Sequence, residues 1–229
     1  MLKVVWVVNM PIGPLAAAQN CPGSSGTWLE AALDDINMAD YDIYIVTTLR
    51  KKEKIEIEEA GVHYIALPTG NPSDFKCSKA NCKKWSDVFQ CIDPDIIQIW
   101  GTEYPHAIAA IKAKSANTKA LIYVQGVMQS IYLYYFGGIE KRTLLRYTSL
   151  VEILTGKTIF NARRKTKSML SREKIVANLA DGIILETKWS DTFFRLFYNC
   201  SNIYYHKLPI NNAFRERAWS VETMQRHTI

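Results

Sequence analysis

Seven short runs of β-branched and aromatic residues recur along this chain, at 3–8, 43–47, 62–66, 96–100, 121–124, 182–185 and 203–205, with helix-length segments between them. Several are apolar almost throughout, as in Ile96-Ile97-Gln98-Ile99-Trp100. A strand with one wet face alternates apolar and polar residues; a strand covered on both faces does not, and that is the pattern of parallel sheets. Strand and helix signals in alternation predict an α/β domain with a doubly wound, mainly parallel sheet and helices on both faces. The 229 residues, 48% of them hydrophobic, supply core enough for one such domain or for one domain and part of another.

The helix signals fall where a Rossmann-like chain needs them. Residues 28–38 follow capping candidates at Ser24 and Ser25 and place Leu29, Ala32, Leu33 and Ile36 on one face. Residues 82–91 carry Trp85, Val88 and Phe89, and Asp93-Pro94-Asp95 stops them. Residues 104–114 have Pro105 in the first turn, where its missing N–H costs nothing. Thr187 is the expected cap of a helix over 187–199. Residues 128–178 differ: they predict a long helical insertion after the fifth strand, broken at Gly137-Gly138 and near Gly156, and aromatic at its start (Tyr132, Tyr134, Tyr135, Phe136).

The net charge of +6 is concentrated in that insertion, where residues 140–174 hold ten Lys or Arg against three Glu. The basic stretch from Lys157 to Lys174 admits three readings: a solvated helix face, a contact with an anionic membrane surface, or a nucleic-acid contact. No finger, helix-turn-helix or RNA-recognition motif accompanies the charge, so nucleic acid is not expected as a partner. Its apolar positions Ile159, Met169, Leu170 and Ile175 form no single stripe, which argues against deep insertion of that helix. No run approaches the roughly 18 apolar residues of a spanning helix, and the opening apolar run is too short for a signal peptide. The expected location is cytoplasmic, at most peripheral at the inner membrane face. Cys21, Cys77, Cys82, Cys91 and Cys200 lack Cys-x-x-Cys spacing and read as plain thiols, so no metal is expected.

Ligands of open α/β sheets bind beyond the carboxyl ends of strands, where strand order reverses. Two loops fall there. The first follows the opening strand and ends in Gly23-Ser24-Ser25-Gly26-Thr27 before a helix, an arrangement that lets backbone amides and a helix dipole meet a phosphate. It is not Gly-x-Gly-x-x-Gly, and no acidic residue ends the second strand, so a dinucleotide dehydrogenase is disfavoured. The second, Gly101-Thr102-Glu103-Tyr104-Pro105-His106, gathers a hydroxyl, a carboxylate and an imidazole. His106 is suited to acid–base work near neutral pH, or to a structural hydrogen bond. Glu103 is equally placed to favour a helix dipole.

Several strings together resemble the N-terminal half of bacterial GT-B glycosyltransferases of the family 4 type, which act in capsular and other surface polysaccharide synthesis. They are the strand over 3–9, Gly23-Ser24-Ser25-Gly26-Thr27-Trp28-Leu29-Glu30, Pro94 through His106, Gln125-Gly126, and Glu186-Thr187-Lys188-Trp189-Ser190-Asp191. The resemblance implies two Rossmann-like domains across a cleft, an acceptor-side domain over 1–207, and a linker with the start of a donor-binding domain over 208–229. It implies Ser25, Gly26 and Thr27 near the donor phosphates, and Thr102, Glu103 and His106 facing the acceptor, Glu103 and His106 as the catalytic pair. Gln125, Gly126, Thr187 and Lys188 would line the same rim. The implied reaction moves a hexose, with retention, from a nucleotide sugar to a glycan or lipid-linked acceptor, with no permanently bound cofactor. The donor-side pair of glutamates seven residues apart is absent, since no two Glu differ by eight in number. The chain alone is therefore expected to transfer nothing. The rival reading is a non-enzymatic module that binds a nucleotide sugar or a membrane surface.

Overall fold

The computed structural model describes residues 1–18, 27–49, 52–69 and 78–210. Eight strands form one sheet: β1 (Leu2–Val7), β2 (Tyr41–Leu49), β3 (Ile55–Glu59), β4 (Val62–Pro68), β5 (Ile96–Trp100), β6 (Lys119–Tyr123), β7 (Gly182–Leu185) and β8 (Ile203–Tyr205). Their spatial order is β3-β4-β2-β1-β5-β6-β7-β8, and every neighbouring pair is parallel except β3 with β4. This is the predicted α/β, Rossmann-like, doubly wound architecture.

Side-chain alternation along strands buried on both faces splits the interior into two cores. Val5, Val7, Val46, Ile97, Ile99 and Ile122 pack on one face. Val4, Trp6, Val8, Ile43, Ile45, Trp100 and Tyr123 pack on the other. Over the first face lie α3 (Lys79–Ile92), α4 (Pro105–Ala113), the long α8 (Ile159–Leu179) and α9 (Lys188–Tyr198). Over the second lie α1 (Pro14–Ala17) and α2 (Thr27–Asp34). Local chemistry sets the helix ends. Ser78 caps α3 by accepting from Asn81 N–H at 3.1 Å, and Asp93 closes that helix in the left-handed region. Pro105 opens α4, and Thr187 caps α9, its hydroxyl accepting from Ser190 N–H at 3.2 Å.

Two features depart from the sequence-based expectation. Strand β3 was not foreseen, so the insertion follows the sixth strand. Ile55-Glu56-Ile57-Glu58-Glu59 is charged enough to read as a loop, yet an edge strand needs only one apolar face and gains from edge carboxylates that block further pairing. Ala60 and Gly61, both at positive φ, join it to β4 in a two-residue hairpin. The second departure is Cys82, which is disulfide-bonded, while Cys91 and Cys200 are free thiols. Within the insertion, α5 (Met128–Leu133), α6 (Lys141–Arg146) and α7 (Leu150–Thr155) precede α8. Gly137, Gly138 and Gly156 break it at the expected places, all at positive φ.

Ala60 is the strained member of the hairpin turn, because its Cβ crowds the backbone in the left-handed region. Ala60→Asn converts the turn to the favoured Asn-Gly pair and is expected to stabilise the protein by about 0.5–1 kcal/mol in urea unfolding.

Candidate functional site

The chain leaves β1 for β2 on one side of the sheet, and β5 pairs with β1 on the other. The crevice beyond the carboxyl ends of β1 and β5 is the topological switch point. Trp100 fixes its floor. The indole meets Trp6 at 4.9 Å, Trp28 at 5.3 Å and Tyr123 at 4.7 Å between ring centroids, which clamps β1, β5, β6 and α2 together at this end.

Immediately after Trp100 the backbone turns at Gly101, whose φ is +86°. A Cβ there would sit 2.9 Å from Glu103 Oε2. Glycine thus lets the Glu103 carboxylate fold back over the turn, where it accepts from Thr102 N–H at 2.9 Å. Glu103 is half-buried, so part of it stays accessible to solvent.

Behind this loop lies a buried polar cluster organised by Glu173 of α8. Glu173 is fully buried. Its Oε2 accepts from Thr102 Oγ1 at 3.3 Å and from Met128 N–H at 3.0 Å, and its Oε1 accepts from Tyr198 O–H at 2.8 Å. Burial is the main influence on its carboxyl and pushes the pKa up, against the lowering effect of those three donors. Beside it, Arg172 is 4% exposed and bonds Ser168 through Nε and Nη2. Burial draws the pKa of Arg172 down, and the negative charge of Glu103 opposes that. His106, on the first turn of α4, is also buried. Its Nε2 meets the Trp100 carbonyl at 3.3 Å, which makes Nε2 the protonated nitrogen of a neutral ring, and Nδ1 has no hydrogen-bond partner. Burial lowers its pKa to about 4, and the nearby Arg172 charge acts in the same direction.

The residues singled out in the sequence distribute along one edge of the sheet. Thr102, Glu103 and His106 come together at the end of β5, but Thr102 and His106 lie beneath α8 instead of facing open space. Being neutral and enclosed near pH 7, His106 fits a positioning role better than proton exchange with a substrate. Gln125, exposed, and Gly126, half-buried, follow β6. Thr187 and Lys188 are exposed after β7, where Lys188 helps line a cavity of about 400 Å³ with Glu186, Tyr205, His206 and Lys207. These ends are therefore one and two strands from Thr102, or roughly 5 and 10 Å at sheet spacing. Ser25 and Gly26 lie outside the described residues. Thr27 opens α2, and its side chain lies outside them too. The basic stretch from Lys157 to Lys174 is not one face. Arg172 is interior, and Arg163 stacks over Tyr132 at 4.1 Å while its Nε bonds the Tyr132 carbonyl. Among the described residues no group of three or more His, Cys, Asp or Glu is placed to hold a metal ion.

Glu173, Arg172 and Tyr198 were missed in the sequence. By sequence Arg172 is indistinguishable from the other bases of the 157–174 stretch. One signal was available: Glu173 is the sole Glu between Glu152 and Glu186, set in a strongly basic helix. A lone carboxylate in such a stretch marks a place where negative charge has a specific partner.

No family model matches the chain, and no curated protein does. Solved structures do. A sucrose-phosphate synthase from Thermosynechococcus elongatus superposes with TM-score 0.53 at 9% identity, over 90% of this chain and 47% of that one. A second, shorter chain of that synthase gives TM-score 0.51 at 9% identity, over 93% of this chain and 92% of the other. A putative UDP-N-acetylglucosamine 2-epimerase from Listeria monocytogenes, 14% identical, reaches 0.42 over 83% and 41% of the two chains, too low to weigh. The chain thus spans about half the length of the full synthase chain, 47%, and shares its Rossmann-like fold over that part.

The buried cluster predicts two opposite pH effects on stability. Folded Glu173 keeps its proton to higher pH than unfolded Glu173, so its burial costs stability as pH rises above the ordinary carboxylate value. Folded His106 titrates near 4 against 6.5 for a free imidazole, so stability is lost as pH falls from 6.5 toward 4. Glu173→Gln is expected to fold normally and to remove the first slope in urea titrations. Glu173→Ala strands the Met128, Thr102 and Tyr198 donors and is expected to cost on the order of 3 kcal/mol.

Proposed function

We propose that this chain is the acceptor-side, N-terminal half of a glycosyltransferase. The reaction moves a sugar from a nucleotide-sugar donor to a glycan or lipid-linked acceptor in surface polysaccharide synthesis. The observation that carries the reading is the crevice at the β1–β5 switch point. Its β5 wall is the Gly101–His106 stretch, which belongs to the most specific of the strings that resemble family 4 enzymes. The shared fold with half of a sucrose-phosphate synthase is consistent with it.

Transfer breaks the bond between the anomeric carbon and a diphosphate oxygen, which leaves with the nucleotide, and makes a bond to an acceptor hydroxyl, whose proton passes to Glu103. In this reading Glu103 contacts the acceptor hydroxyl, held in place by Thr102 N–H. His106 and Thr102 hold the end of β5 from behind. Gln125, Gly126, Thr187 and Lys188 extend the rim toward a longer acceptor, and Ser25, Gly26 and Thr27 approach the donor phosphates. The donor sits against a second domain, beyond a linker over residues 208–229, that supplies the pair of glutamates this chain lacks. Retention of anomeric configuration and a cytoplasmic, membrane-peripheral site of action, with the bases from Lys157 to Lys174 toward anionic lipid, belong to the same proposal. Catalysis of this kind rests on holding two substrates in register and stabilising the leaving diphosphate.

A donor screen with the longer protein and membrane-lipid acceptors tests the reading. Sugar transfer is expected from the longer protein and none from residues 1–229, and turnover by residues 1–229 alone would overturn the division of labour. Glu103→Gln in the longer protein is expected to lower kcat about a hundredfold, within the range of a lost general acid–base group, with the native fold retained by circular dichroism. His106→Ala should change the unfolding midpoint as well as kcat. Binding of nucleotide sugar without transfer would instead favour the non-enzymatic module.

A further inference from the structure

The insertion exposes apolar side chains on a scale found nowhere else among the described residues. Helices α6 and α7 bury none of their residues. Leu154 is 85% exposed, Leu150 77% and Tyr147 76%, with Val151, Leu145 and Tyr134 all above 60%. So many exposed apolar side chains within one short stretch mark a place where something other than water is meant to lie.

Charge identifies what lies there. Lys141, Arg142, Arg146 and Lys157 border the apolar side chains, and Arg164, Lys165, Lys167 and Lys174 continue exposed along α8. The carboxylates that would oppose an anionic surface are few, three Glu against ten Lys or Arg over residues 140–174. Glu173 is buried, and Glu152 is engaged in a capping box with Ser149, where its Oε2 accepts from Ser149 N–H at 2.8 Å. Of the three Glu between 140 and 174, only Glu140 is exposed. On α7 the residues Leu150, Val151, Ile153 and Leu154 occupy a broad arc, with Glu152 and Thr155 on the opposite side. Apolar residues on one arc, tyrosines at the margin and a basic collar match the chemistry of a helix lying in the interface of an anionic bilayer. No helix among the described residues is long and apolar enough to cross a membrane, so the contact is peripheral.

We infer that the α6–α7 tip of the insertion docks on an anionic membrane. Leu150, Val151 and Leu154 enter the boundary between headgroups and acyl chains, and the exposed bases of α8 lie over the headgroups. The inference rests on the acceptor-side reading for its purpose, since it would bring the crevice to a lipid-linked acceptor. It differs from the basic-helix contact in requiring apolar insertion as well as charge.

Residues 1–229 floated with phosphatidylglycerol-containing vesicles, and with phosphatidylcholine vesicles as the uncharged control, provide the test. Binding to the anionic vesicles is expected. The double variant Leu150→Ser, Leu154→Ser is expected to lower the partition coefficient at least about tenfold. Its urea midpoint should not move, because both side chains are exposed. In a separate variant, Leu154→Trp, brominated lipids should quench the new indole. Vesicle binding unchanged in the double variant, and abolished by salt alone, would overturn insertion and leave only the basic-helix contact. A dimer that the double variant dissolves, with no vesicle binding by the parent chain, would overturn it in favour of a second copy as the occupant. Insertion with no transfer by the longer protein would leave the docking surface standing and remove the glycosyltransferase reading.

Discussion

The carboxylate of Glu173 is the interaction on which the site depends. It reaches from α8 to the loop after β5 through Thr102, to the first residue of α5 through Met128 N–H, and to the end of α9 through Tyr198. Those partners are far apart in sequence, at separations of 71, 45 and 25 residues. Without such a tie the 128–178 insertion would lie on the sheet mainly through apolar contacts, which are tolerant of sliding. A buried carboxylate is expensive to desolvate and therefore fixes the register in which its three donors are met. The loop that carries Glu103 and His106 inherits its position from that register.

The same cluster shows why the chemistry at the crevice is divided between exposed and enclosed groups. Glu103 and His106 are only three residues apart, yet one is half-buried over a glycine turn and the other is enclosed beneath α8. The enclosed imidazole, with Arg172 nearby, titrates near 4 and stays neutral at physiological pH. It holds the Trp100 carbonyl, and through it the end of β5. The carboxylate is tethered by the Thr102 amide and stays partly exposed, with its charge felt by Arg172 of α8.

The sheet, its two cores and most helix ends were legible in the sequence, because strands buried on both faces and capping residues leave local signatures. The run Ile96–Trp100, Pro105 in the first turn of α4 and Thr187 before α9 are of that kind. Strand β3 was not legible, because an edge strand with a charged outer face has weak local hydrophobicity, and its Ala60-Gly61 turn lacks the Asn or Asp that would have announced it. At the site, Thr102, Glu103 and His106 were found from their place at a strand end, whereas Glu173, Arg172 and Tyr198 were not. Their roles come from contacts across the fold, and nothing local distinguishes a buried Arg172 from its solvated neighbours Arg164 and Lys165.

Helix α8 joins these two regimes in one element. Its 21 residues run about 31 Å at helical rise. The C-terminal half holds Arg172, Glu173, Val176 and Ala177 in the interior, while Arg164, Lys165 and Lys167 stand exposed in the N-terminal half. A surface that approaches the N-terminal half therefore meets charge without reaching the Glu173 tie, which sits roughly 10 Å or more further along the axis. The separation explains how one helix can be strongly basic yet depend on a buried acid. The Thr102, Met128 and Tyr198 donors offset part of the desolvation of Glu173, and the exposed bases remain hydrated until a counter-surface replaces the water. The apolar side chains of α6 and α7 precede that basic half in the chain, so charge and hydrophobicity are gathered in the insertion and kept apart from the two cores that hold the sheet.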